Sequence, residues 1–201
     1  MLGPLVILNI GAGETDFGDI RLDIYRSPTV NLVADAELLP FRNNSFDLVY
    51  SKNVLEHLPN PLNALREQRR VCTGGGKIVI TTDNAGYWAS HVLGHHTRPI
   101  LKTRGRDLYR GTRAEDKHYC LFTREHLENL FDRAYLRVLR VEFRDFGTLK
   151  ADIIDRFVRC FPILKNFSYP RILAIACKMP MKKLWHQNNE LRDHDEDRNS
   201  C

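Results

Sequence analysis

Two glycines separated by one residue, Gly11 and Gly13, follow a short apolar run in ILNIGAG, and an aspartate, Asp23, closes the next apolar run in RLDI. A second acid, Asp35, stands at the end of a third run, in NLVADA. Residues of these types in this order could hold a nucleoside. A glycine carries no Cβ, so a ligand can lie against the strand end. A carboxylate at the tip of the neighbouring strand can accept hydrogen bonds from a ribose diol, and Asp35 can face an adenine amino group. Each residue also has a plain structural role, because a Gly-x-Gly after a strand is often just a tight turn and a strand-end aspartate is often a cap. The information lies in the combination.

The pattern argues against a dinucleotide. That loop needs G-x-G-x-x-G opening a full helix, whose N-terminus holds the pyrophosphate. Here Asp16 stands where the third glycine should be, and a phosphate there would meet negative charge. Asp23 comes too soon after Gly13 for the ribose acid of that motif, which lies about 20 residues on. The connection 11–19 is also shorter than the dozen or so residues that a crossover with a full helix requires. An oxidoreductase or epimerase that uses a dinucleotide is therefore disfavoured. A nucleoside without phosphates remains, and S-adenosylmethionine is such a ligand.

The elements that must position these residues can be read from short apolar runs between turn residues, the mark of buried parallel strands. Residues 5–10, 20–24, 30–34, 46–50 and 77–82 are the candidates. A helix over 61–71 starts at Pro61, has Leu62, Leu65 and Arg69 at helical spacing, and gives way to Gly74–Gly76. Thr123 is a helix N-cap candidate followed by Leu127, Leu130, Phe131 and Ala134 on one face. Strands are expected at 136–143 and 171–178, the latter apolar enough to be central or well covered, and an amphipathic helix is expected over 151–161. The expected fold is α/β and Rossmann-like, a mostly parallel seven-stranded sheet with reduced helices after strands 1 and 2.

At this point the chain resembles a known family. ILNIGAG, then RLDI, then VADAELLPFRNNSFDLVYSKNVLEHLPNPLNALREQRRVCTGGGKIVITT is similar to the class I S-adenosylmethionine-dependent methyltransferases, and more narrowly to their Methyltransferase-11-type branch. The resemblance covers about residues 5–83, and 115–135 more loosely. It implies S-adenosyl-L-methionine as cofactor. It implies that Gly11 and Gly13 lie under the methionine and ribose portions, that Asp23 binds the ribose hydroxyls, and that Asp35 and Ala36 meet the adenine edge. Ser51, just past the fourth strand, then borders the methionine amino group. His57 in NVLEHL and His118 in KHYCLFT fall near the mouth of the site, which makes them the leading candidates for a catalytic base. His91, His95 and His96 are further candidates. They lack a carboxylate or cysteine at ligand spacing, so no metal is expected.

Methyl transfer from a sulfonium is an in-line displacement, in which the protein aligns the two centres and removes a proton when the nucleophile is a hydroxyl. Asn-Pro-Pro-Tyr, the usual signature for amino groups of bases or glutamine, is replaced by Ser51-Lys52-Asn53-Val54, and no cysteine stands there for attack on a pyrimidine. Between positions 98 and 113, six arginines and lysines, Arg98, Lys102, Arg104, Arg106, Arg110 and Arg113, face only Asp107. That cluster suggests an anionic acceptor, small or linked to a saccharide, with O-methylation favoured. Nucleic acid is not favoured, because Tyr109 is the one aromatic residue among those arginines. RNA methylation and a non-catalytic regulatory module that binds S-adenosylmethionine are the alternatives.

The chain has 201 residues and a formal charge of +5. One domain over 1–180 is expected, with 84–120 as an inserted lid that closes the site and 181–201 as a polar, disordered tail. The five cysteines form no C-x-x-C pair and read as buried thiols in a reducing compartment. With no apolar stretch of about 18 residues and no leader pattern, a cytoplasmic protein without a membrane span is expected.

Overall fold

The structure, a computed structural model, describes residues 4–87, 118–144, 169 and 171–179. Seven strands form one sheet: β1 (Ile7–Ile10), β2 (Ile20–Asp23), β3 (Leu32–Val33), β4 (Phe46–Lys52), β5 (Cys72–Asp83), β6 (Leu136–Arg144) and β7 (Arg171–Lys178). Their order is β3-β2-β1-β4-β5-β7-β6, parallel except that β7 runs antiparallel to both neighbours. The expected mostly parallel seven-stranded sheet is present, and the 171–178 strand lies inside it. Chain direction reverses its order at β1, which has β2 on one side and β4 on the other. In open α/β sheets the crevice at such a switch point, beyond the carboxyl ends of the strands, is where ligands bind.

Among the described residues two α-helices, α1 (Pro61–Val71) and α2 (Arg124–Arg133), pack with the sheet. The Asn60 side chain accepts from the Asn63 N–H at 3.2 Å and so caps α1 at its N-terminus, with Pro61 at a position where its missing N–H costs nothing. Its buried residues are Ala64, Leu65, Gln68 and Val71. Arg69, expected on the apolar face, instead donates to the Tyr135 carbonyl and lies over that ring. Thr123 caps α2 as expected, and Leu127, Phe131 and Ala134 are fully buried. These residues join Leu8, Ile10, Val49, Ile78, Ile80, Ile172 and Ala174 in one core.

The connections after β1 and β2 contain no helix, as expected, and neither does the one after β3. β3 is shorter than the 30–34 run. Its flanking residues still bond β2: the Asn31 and Ala34 N–H groups donate to the Arg21 and Asp23 carbonyls, Asn31 Oδ1 accepts from the Arg21 N–H and the Thr29 carbonyl from Arg21 Nε. β5 is longer than 77–82, because Gly74–Gly76 do not stop the helix but lie within the strand. A Cβ on Gly76 would come within 2.7 Å of the Asp47 carbonyl oxygen, so glycine here permits close backbone approach. The register slips at the same place, from Phe46↔Cys72 to Leu48↔Lys77.

The expected 151–161 helix, the basic cluster at 98–113, His91, His95 and His96, most of the 84–120 insertion and the 181–201 tail lie outside the described residues. Among the described residues no helix is long and apolar enough to cross a membrane. Cys72 is buried, and its thiol is pushed up to about 11 by that burial.

Candidate active site

β1 ends in a left-handed turn. Gly11 has φ of +70° and Gly13 of +54°, values that side-chain-bearing residues rarely adopt. Gly11 is further constrained by space: a Cβ there would fall 2.2 Å from Val54 Cγ2. The loop leaves β1 and at once bonds to β2, with the Gly11 and Ala12 N–H groups sharing the Leu22 carbonyl. Asp23, at the tip of β2, accepts from the Gly13 N–H through Oδ2 at 2.9 Å and from the Tyr25 N–H through Oδ1 at 3.0 Å. The carboxylate is therefore aimed at the glycine turn by backbone donors. Each of its oxygens keeps further acceptor capacity for a ligand.

Sequence reasoning missed what replaces the crossover helix. Asn9 is buried inside β1, and its Nδ2 donates to Thr15 Oγ1 at 3.1 Å and to the Phe17 carbonyl at 3.0 Å. Phe17 in turn meets Tyr50 of β4 edge to face, with ring centroids 5.2 Å apart. Gly18 takes φ of +98° where a Cβ would press on Asn9 at 3.2 Å. The one legible signal was an asparagine inside an otherwise apolar run. Asp16, which argued against a phosphate, is exposed and lies 3.5 Å from Arg21. Between loop and sheet, a cavity of about 250 Å³ is lined by Asn9, Gly11, Thr15, Phe17, Tyr50 and Lys52. It falls short of the roughly 300–1,000 Å³ usual for a small-molecule site, and so suits one end of a ligand.

The other predicted cofactor residues divide. Ser51 is not past the fourth strand but within it, since β4 runs to Lys52. It is fully buried, and its Oγ has no partner. Asn53, in the left-handed region with φ of +53°, follows with a buried Oδ1 that is also unpartnered. Two orphaned polar atoms beside the Gly11 cradle fit a ligand that brings its own hydrogen-bonding groups. Asp35 lies beyond β3, is exposed, and accepts from the Glu37 N–H at 2.8 Å, which is the turn-capping role. Ala36 is buried behind it.

His57 and His118, 61 positions apart in sequence, are brought together. Their rings meet edge to face with centroids 4.6 Å apart. A 3-10 turn, Leu55–His57, carries the first, and the chain at 118–120 lies along it, the Glu56 carbonyl accepting from the Tyr119 and Cys120 N–H groups at 2.7 and 3.2 Å. His118 Nδ1 is 3.9 Å from Asp83 Oδ2, at the end of β5, and Arg171 Nε is 3.5 Å from Asp83 Oδ1. Glu56, which sequence reasoning passed over, is buried and accepts from Thr82 Oγ1 at 2.8 Å. Burial raises its carboxyl to about 7, more than the backbone and Thr82 hydrogen bonds lower it. Among the described residues no group of three histidines, cysteines or acids is placed to hold a metal ion.

Residues 18–80 match the methyltransferase domain family. An uncharacterized protein of Methanocaldococcus jannaschii is 40% identical over 93 residues, 39% of this chain and 41% of that one. The demethylmenaquinone methyltransferase of Renibacterium salmoninarum is 36% identical over 74 residues, 36% of this chain and 31% of that one. The matches thus span less than half the length of these curated relatives. A solved S-adenosylmethionine-dependent methyltransferase from Archaeoglobus fulgidus superposes with a TM-score of 0.59 at 18% identity, over 88% of this chain and 87% of that one.

Proposed function

Because this chain carries a methyltransferase domain over residues 18–80 and folds as the class I S-adenosylmethionine-dependent methyltransferases do, we propose that it methylates a small or saccharide-linked anionic acceptor, most readily at a hydroxyl. The observation that carries this reading is the contact between His57 and His118 at the same edge of the sheet as the glycine turn, with Asp83 behind His118. A carboxylate acceptor is already ionised and needs no base, whereas a hydroxyl does.

When bound, S-adenosylmethionine supplies an electrophilic methyl group on sulfur. Gly11 and Gly13 leave room for it, Asp23 holds its ribose diol, and Asn53 and Ser51 offer polar atoms to its amino-acid end. Asp35 and Ala36 border the adenine. His118 takes the acceptor's proton at Nε2, because Nδ1 is the nitrogen turned to Asp83 and a nearby carboxylate stabilises the imidazolium that results. His57 packs against that ring and fixes its plane. The arginines of 98–113 bind the acceptor's negative charge.

Transfer of labelled methyl from S-adenosylmethionine into a cell extract, with products separated by size and identified by mass, tests this directly. Label in a small acid or saccharide is the expected result. Label in RNA would replace the acceptor assignment, and cofactor binding with no transfer at all would favour a regulatory module.

A further inference from the structure

Glu56 belongs to none of the roles assigned so far, yet it is the junction of the acceptor side. Its side chain reaches β5 through Thr82 Oγ1, and its carbonyl holds the 118–120 segment through two N–H groups. Asp83, next after Thr82, faces His118, which returns through Tyr119 to the Glu56 carbonyl. This circuit leaves one buried atom unpartnered, Glu56 Oε1.

We propose that Glu56 is a positioning residue for the His57–His118 pair, holding the turn that bears one histidine against the segment that bears the other. The inference rests on the reading of these histidines as the acceptor side of the site. A buried carboxyl with one oxygen unpartnered tolerates a proton far better than a charge. The charged groups acting on it are Asp83 of β5, which disfavours ionisation and itself faces His118, and Arg171 of β7, which favours it. Ionised Glu56 adds a second negative charge beside Asp83, the residue that faces His118, and the two histidine rings respond.

Imidazole NMR titration of the whole chain between pH 5 and 9 tests this without an acceptor, with His57 and His118 assigned by His57→Gln and His118→Gln. In the wild type both resonances should carry an inflection near pH 7 that reports Glu56. Glu56→Gln should abolish that inflection while leaving the low-pH shifts in place. Thr82→Val, which removes the donor to Glu56 Oε2, should move the inflection to higher pH and serves if the glutamine variant fails to fold. Identical titrations in wild type and Glu56→Gln, or an inflection unmoved by Thr82→Val, would overturn the proposal. S-adenosylhomocysteine binding measured on the same samples separates the two readings: its loss in the wild type would count against the cofactor assignment and leave the histidine result to be judged alone.

Discussion

At Gly11, two independent constraints meet: a left-handed backbone and a neighbour, Val54, that leaves no space for a Cβ. Gly11→Ala should therefore cost about 2–4 kcal/mol, roughly half from the backbone and half from overpacking. Adding Val54→Ala should return only the overpacking part, because the backbone term remains. Urea unfolding of the single and double variants measures both, and full recovery in the double variant would contradict the backbone argument. At this scale the sequence was informative where a residue type is rare for a reason. Gly11, Gly13 and Asp23 stand at strand ends and bond one another's surroundings as their spacing implied. His57 and His118 could be nominated singly, but their contact depends on the 118–120 segment lying along the Leu55–His57 turn, which no local pattern encodes. Glu56 was illegible for the same reason, since a glutamate in a polar stretch reads as exposed until the fold buries it. Asp35 stands past β3 as its place in the sequence implied, and there it also caps a turn.

Among the elements, α1 and α2 announced themselves because capping and apolar period agree. The Thr123 side chain accepts from the His126 N–H at 3.3 Å, so Thr123→Ala should lower stability by about 1 kcal/mol while Thr123→Ser stays within a few tenths of wild type. Denaturant midpoints measure this, and equal midpoints for alanine and serine would show the cap to be idle. Strand centres were legible as apolar runs, whereas their ends were not, because ends are set by partners. β3 starts late, after Thr29 and Asn31 have bonded Arg21, and β5 starts early since Gly76 lets the backbone close on Asp47. The loss of the first crossover helix followed from chain length alone. The Asn9–Thr15–Phe17 contacts that fasten the substitute loop needed the structure.

For the whole molecule, pH separates two carboxyls with opposite signs, buried Glu56 and partly exposed Glu67. Burial raises Glu56 to about 7, so its contribution to stability is fully present below the ordinary carboxylate value of 4.5 and is lost as pH rises through about 7. The Arg70 hydrogen bond lowers Glu67, so that contribution is present above 4.5 and is lost as pH falls. The melting temperature should therefore decline from pH 5 to pH 8 in the wild type and decline less in Glu56→Gln. Parallel curves would remove Glu56 from the account. If the basic cluster binds the acceptor as proposed, reversing Arg104 and Arg106 to glutamate should raise KM for an anionic acceptor and leave cofactor affinity within about two-fold, with wild-type KM rising with salt as exposed attraction is screened.

The central claim is that the glycine turn and the acid after β2 bind a nucleoside without phosphates. Calorimetry of S-adenosylhomocysteine against wild type and Asp23→Ala tests it, with a nicotinamide dinucleotide titrated alongside. S-adenosylhomocysteine should bind saturably, about ten-fold or more weakly in Asp23→Ala because a charged hydrogen bond of about 1.5–3 kcal/mol is lost, and the dinucleotide should not bind. Unchanged affinity in Asp23→Ala, or saturable binding of the dinucleotide in place of S-adenosylhomocysteine, would contradict it.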